Sequence, residues 1–147
     1  MILCFLTINV SLLYAADRET GDYNFDGHED YREYRESNGK EHYYDFYLYN
    51  PLTKKYVYSD ELSGLCNPSF DSSKKEIHCI WPGGHSGALY SEEDYKWQGK
   101  HLVLIRVITQ TDVDFQDGKS HFVRVIATIE DGKPCIQSIE PVITPNE

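Results

Sequence analysis

The feature that most constrains this chain is Asn38-Gly39 followed by EHYYDFYLYN. Asn-Gly between two extended segments marks a tight hairpin, because both central positions of its preferred turn need a positive φ. In the second arm Tyr43, Asp45, Tyr47 and Tyr49 fall on one face, and Tyr44, Phe46 and Leu48 on the other. That two-residue period belongs to a strand. The first arm is ambiguous, since Tyr31 and Tyr34 are spaced as on a helix, and the Asn-Gly turn decides for strands.

The rest of the chain repeats the theme. KKYVYSDEL reads as a short strand running into Leu62, and EIHCIW alternates before Pro82-Gly83-Gly84. HSGALYSEEDYKWQGK reads as a polar, glycine-broken loop that becomes a strand near Tyr95 and Trp97. HLVLIRVITQT is the most apolar strand, and two more surround turns at Asp117-Gly118 and Asp131-Gly132. Short strands with turn signals between them predict one mainly β domain over residues 17–147, an antiparallel sandwich or barrel. The 12 tyrosines favour strands as well.

Just before the hairpin stands DYNFDGHED, residues 22–30. Asp22, Asn24 and Asp26 put oxygen-bearing side chains on alternate positions, and Gly27 supplies the freedom for a sharp turn. The His28 main-chain carbonyl, Asp30 and Glu33 complete the pattern D-x-[DN]-x-[DN]-G-x5-E. Calcium takes six to eight oxygens, and this spacing wraps them around one point. A strand after the loop, in place of a helix, would turn Glu33 elsewhere. The plain alternative is a polar turn, for which Asn, Asp and Gly are also suited.

Charge narrows the function classes. The net charge of −10 argues against nucleic acid, whose phosphates need Lys and Arg opposite them. It suits a basic protein partner, and it also suits simple solubility. Six scattered histidines make no metal-binding pair, and there is no phosphate loop or nucleophile elbow. A glycosidase needs two carboxylates at a set separation, and 24 Asp and Glu nominate no particular pair. The reading is therefore of a protein that is not an enzyme.

Cys66 and Cys79 bracket CNPSFDSSKKEIHC, whose middle turns the chain back. That predicts two facing strand ends joined by a disulfide, worth about 3 kcal/mol on the chain-entropy view. Two unlinked buried thiols are the alternative. Residues 1–16 carry no charge and are too short to span a bilayer, which needs roughly 20 apolar residues. They read as an export signal cut after Ala15 or Ala16, or as the first strand of a longer chain. Against export stand the lack of Lys or Arg before the apolar run and the bulky Tyr14. Removing the segment would also take Cys4 and leave Cys135 as the odd thiol.

The stretch GGHSGALY holds Ser86-Gly87-Ala88-Leu89-Tyr90. This S-G-x-x-Y run resembles the loop signature of bacterial periplasmic lysozyme inhibitors. D-x-N-F-D-G-x-x-D ahead of tyrosine-rich strands resembles the related secretion-system immunity proteins, whose fold is similar to the inhibitor of invertebrate-type lysozyme. The likeness covers residues 22–107, with NPSFD and Tyr95-Lys96-Trp97 in the same order. It implies a calcium-binding periplasmic or secreted protein that blocks a lysozyme-like glycosidase. It also implies a partner-binding loop in which Ser86 approaches a catalytic carboxylate and Tyr90 braces the base. His85 could donate to a carboxylate there, and Gly87 would let the backbone enter a narrow groove. The alternatives are a plain connection between strands and a calcium-stabilised envelope-binding module without inhibitory action.

Overall fold

The structure is a computed structural model that describes residues 18–84, 88–114 and 120–142. The proposed signal segment (residues 1–16) and the loop residues His85, Ser86 and Gly87 lie outside the described residues. Among the described residues ten strands form two antiparallel sheets in a sandwich-like arrangement. The first contains β1 (Arg18–Gly21), β2 (Asp30–Asn38), β3 (Glu41–Asn50) and β4 (Lys55–Tyr58), in that order. The second contains β5 (Ser69–Asp71), β6 (Glu76–Pro82), β7 (Tyr90–Gln98), β8 (His101–Asp114), β9 (Ser120–Glu130) and β10 (Lys133–Pro141). Each strand of both sheets pairs with its neighbours in the chain, so both sheets are meanders built from hairpins.

The β2–β3 hairpin turns through Gly39 and Lys40, one residue later than the Asn38-Gly39 pair expected: Asn38 still pairs with Glu41 in the ladder, and Gly39 alone of the three takes a positive φ, +65°. Residues Tyr31 to Tyr34 pair regularly, so two tyrosines three apart face opposite sides of the sheet, and the register slips only beyond them, between Tyr34 and Glu36. Tyr31 therefore lies beside Tyr47 on the outer face, with ring centroids 4.7 Å apart and nearly parallel. Tyr34 meets Tyr44 edge-on towards the other face.

The inner face of β3 is the one the alternation predicts. Phe46 is fully buried, and Tyr44 and Leu48 pack beside it. Ile77 and Cys79 of β6 oppose them, with Tyr95, Trp97 and Leu102 around the edge. Tyr23 and Phe70 bring two more rings into contact with Phe46. Aromatic side chains supply large apolar area per residue, so a small number of them can fill the space between two sheets.

The structure departs from the expectation at three further places. The strand expected to run into Leu62 stops at Tyr58, and a single helical turn, α1 (Asp60–Ser63), follows. Ser59 caps it by accepting the Leu62 amide, and Asp60 and Glu61 sit at its positive end. The turn drives Leu62 fully into the core, and the Ser63 hydroxyl accepts the Phe46 amide at 2.9 Å. Second, β7 begins at Tyr90, well before Tyr95. Its acidic start is paired on both sides, and Glu93 accepts from Trp81 and Tyr95 at 2.7 Å each. Third, Cys66 and Cys79 are both buried, and they are free thiols rather than the expected disulfide. The Cys66 sulfur instead accepts from the Asn67 side-chain amide at 3.4 Å.

Candidate functional site

The turn between β1 and β2 is closed by its own side chains. Asp22 accepts the Asp26 amide at 3.0 Å with one oxygen and the Gly27 amide at 2.9 Å with the other. Asn24 Oδ1 accepts the same Asp26 amide at 3.1 Å. Two side-chain oxygens from alternate positions thus converge on one N–H. Asp26 Oδ1 accepts the His28 amide at 2.9 Å, and Asp26 Oδ2 accepts from the Asn24 amide group at 3.0 Å. Gly27 makes this possible, since its φ of +88° is a left-handed conformation that side-chain-bearing residues disfavour.

Burial works against ionising Asp26, but the His28 amide, the Asn24 amide group and the His28 ring together outweigh it. The carboxyl therefore titrates below its ordinary range. Both Asp22 oxygens, Asn24 Oδ1 and Asp26 Oδ2 keep a further lone pair after accepting one hydrogen bond, whereas Asp26 Oδ1 faces both the amide and the ring of His28. Asp22, Asn24 and Asp26 are thus the expected ligands that the structure does bring together.

The other three are placed differently. Asp30 is fully buried, and its oxygens accept the Tyr23 amide at 2.9 Å and the Tyr49 amide at 2.8 Å. It fastens the turn to β3. Burial pushes its pKa up, against the pull of those amides. Glu33 lies within β2 and pairs with Arg18 across the β1–β2 ladder at 2.7 Å. The His28 ring approaches Asp26 Oδ1 at 3.1 Å and stacks on Tyr49. Among the described residues no three His, Cys, Asp or Glu side chains form a group able to hold a metal ion. Two carboxylates and one amide oxygen are what the turn offers, with main-chain carbonyl and water needed to complete a calcium shell. Such a set fits the weak end of calcium binding, where ligands carry little charge.

The second candidate element is the connection from β6 to β7. Its base is narrow: the Gly83 amide donates to the Leu89 carbonyl at 2.8 Å, and the Leu89 amide to the Gly84 carbonyl at 3.3 Å. A Cβ on Gly83 would stand 2.5 Å from the Leu89 carbonyl oxygen, so a side chain there needs the backbone to shift. Tyr90 opens β7 opposite Pro82 on one side and Gln110 on the other. Gln110 is nearly buried and donates to the Ala88 carbonyl at 2.8 Å, while Arg124 donates to its oxygen at 3.3 Å. Sequence reading passed over Gln110 and Arg124. The signal was present, since an amide inside the apolar run HLVLIRVITQT needs a polar partner when buried.

A polar cluster on the second sheet invites a catalytic interpretation. His78 Nδ1 lies 2.7 Å from Asp94, whose other oxygen accepts from Arg106 at 3.0 Å. The neighbouring Ser69 hydroxyl, however, donates to the His78 main-chain carbonyl at 3.2 Å, which turns it away from the role of a nucleophile served by the ring.

Comparison with known proteins adds one structural likeness. A solved structure described as "Structure of a Xanthomonas Type IV Secretion System related protein" superposes with a TM-score of 0.61. The fold is shared. The two chains are 21% identical, and the match covers 82% of this chain but only 57% of that one. No family model matches the chain, and no curated protein sequence matches it. No helix among the described residues is long and apolar enough to cross a membrane.

Proposed function

We propose that this domain is a calcium-stabilised inhibitor or immunity protein of the bacterial envelope that blocks a lysozyme-like peptidoglycan glycosidase. The observation that carries the reading is the pinned base of the β6–β7 connection. Two cross-base hydrogen bonds, a glycine that no side chain can replace without a shift, and the Gln110 contact to Ala88 hold its two ends together. A loop held at its base enters a cleft with little loss of conformational freedom. His85, Ser86 and Gly87 would make the contact, with Tyr90 at the root. A glycosidase works with two free carboxyl groups, so a hydroxyl bonded to one of them in a filled cleft stops turnover. The net charge of −10 would steer a basic enzyme towards it. Calcium held by Asp22, Asn24, Asp26 and the His28 carbonyl would neutralise the turn and fix its position against β3. The secretion-system description of the similar structure fits an envelope setting and a periplasmic or secreted location.

The test is a panel of lysozymes of different structural types acting on peptidoglycan. Equimolar protein should suppress lysis by at least one, and the Ser86→Ala, Tyr90→Ala double variant should lose that suppression with its thermal melt retained. Suppression that survives the double variant would move the contact surface elsewhere. A second reading, an envelope-binding module without inhibition, is favoured by the outer face of the first sheet. There Tyr31, Tyr47, Tyr49, Tyr56 and Tyr58 form a chain of ring contacts with centroids 4.7–5.6 Å apart. Sedimentation with peptidoglycan in the absence of any inhibited enzyme would support that reading.

A further inference from the structure

A groove of about 620 Å³ opens between the free edge of the first sheet and the β7–β8 turn. It is separate from the β6–β7 connection. Leu48, Val57 and Trp97 supply apolar lining, and Leu52 stands at its end 93% exposed. β4 forms one wall, and all four of its residues are exposed.

We infer that this groove takes an extended, basic peptide segment of a partner protein, which adds as a fifth strand along β4. Three observations carry this. First, β4 is an edge strand with only β3 beside it, its register runs without a bulge, and no proline interrupts it. The Ser59 amide donates to the Phe46 carbonyl at 2.9 Å, continuing the ladder with β3. Main-chain groups alternate along an antiparallel strand, so those of Tyr56 and Tyr58 point outward, where an added strand would meet them. Second, Val57 is 52% exposed although it shares the inward face with Leu48, its register partner. Every second side chain of an added strand would fall on this apolar floor. Third, the rim is acidic. Asp26, Asp60 and Glu61 line it against Lys100 and His101. Glu61 is committed to His101 at 2.9 Å and to the Leu102 amide at 2.6 Å. Asp26 is likewise held by His28 and Asn24, so Asp60 remains to face a Lys or Arg of the incoming strand, within a chain of net charge −10.

The occupant is thus defined by chemistry: alternating apolar and cationic side chains on an extended backbone with free amides. The site does not depend on the inhibitory reading, and neither Ser86 nor Tyr90 takes part in it.

The experiment follows amide resonances of the full chain during titration with three capped heptapeptides. One alternates lysine and valine, the second alternates glutamate and valine, and the third is the lysine peptide N-methylated on alternate amides. The lysine peptide should shift residues 56–61 and 97–101 in a saturable way, and the glutamate peptide should not. N-methylation should weaken binding about tenfold or more, as expected when main-chain hydrogen bonds worth about 1.4 kcal/mol are lost. Asp60→Lys should weaken the lysine peptide by a similar factor, and Val57→Lys, at an exposed position, should do the same and serves as the second variant should Asp60→Lys fail to fold. Equal binding of the N-methylated peptide, shifts confined to other surfaces, or no shift at millimolar peptide would overturn the proposal.

Discussion

The Asp30 carboxylate accepts the main-chain amide of Tyr49 at 2.8 Å, joining the end of the polar turn to a strand 19 positions away. The same carboxylate holds the Tyr23 amide, and Tyr23 packs edge-on against Phe46. One buried side chain thus connects the turn, the first sheet and the aromatic core. A buried carboxylate survives only where hydrogen bonds replace water, and these two amides do so.

Asp30→Asn should therefore be costly. Asparagine has one acceptor oxygen, so one of the two amides would face an NH2 group. Leaving a buried amide unpaired costs about 1–3 kcal/mol, and a loss in that range is expected from urea unfolding. The pH dependence carries a sign. Burial raises the Asp30 pKa above its ordinary value of 3.8. The associated stability is fully present below pH 3.8 and is lost as pH rises through the folded value. The gap between the parent and Asp30→Asn should hence narrow as pH rises through that window.

Asp26 and Glu33 should separate cleanly in calcium response. Asp26→Ala should lower the melting temperature and abolish stabilisation by added calcium. Glu33→Gln should leave the calcium response intact and cost under about 1 kcal/mol, since its bond to the exposed Arg18 is a surface pair. Melts with calcium and with chelator distinguish the two.

Gly83→Ala tests the loop base. The new Cβ would stand 2.5 Å from the Leu89 oxygen, and relief by a backbone shift should cost about 1–3 kcal/mol. Inhibition in the lytic assay should weaken alongside the melt, because the two ends of the connection move apart.

The buried thiols should be inert. Burial first, then the nearby Glu93, Cys66 and Asp94, push the Cys79 thiol up to about 12. Thiolate is the reactive form, so an aromatic disulfide reagent at pH 8 should label Cys135 in the native chain and reach Cys66 and Cys79 only after unfolding. Failure to label those two in denaturant without reductant would mean that they are joined.

Much of this fold was legible because strand period and turn chemistry are local. Asn38-Gly39 announced a hairpin, although the chain turns one residue later, and the Phe46 face was readable by counting in twos. What failed was non-local. Nothing near Leu62 announces that its strand must yield to a helical turn so that Leu62 can fill the core beneath Phe46. The charged start of β7 looks like a loop until Trp81, His78 and Arg106 are placed beside it to absorb its carboxylates. At the turn, Asp22, Asn24 and Asp26 lie close together, as their alternate spacing suggests. The strand that follows turns Glu33 away, to Arg18, as such a strand would, but nothing local announces that Asp30 is taken by two amides.

The most direct measurement is a calcium titration followed through the backbone amides of the full chain. The amides of residues 22–28 should shift together and saturate at about 10⁻⁴–10⁻³ M calcium, the range of weakly charged calcium sites. Amides of that turn unmoved at ten times this concentration would contradict a cation-holding turn and leave it closed by its own hydrogen bonds alone.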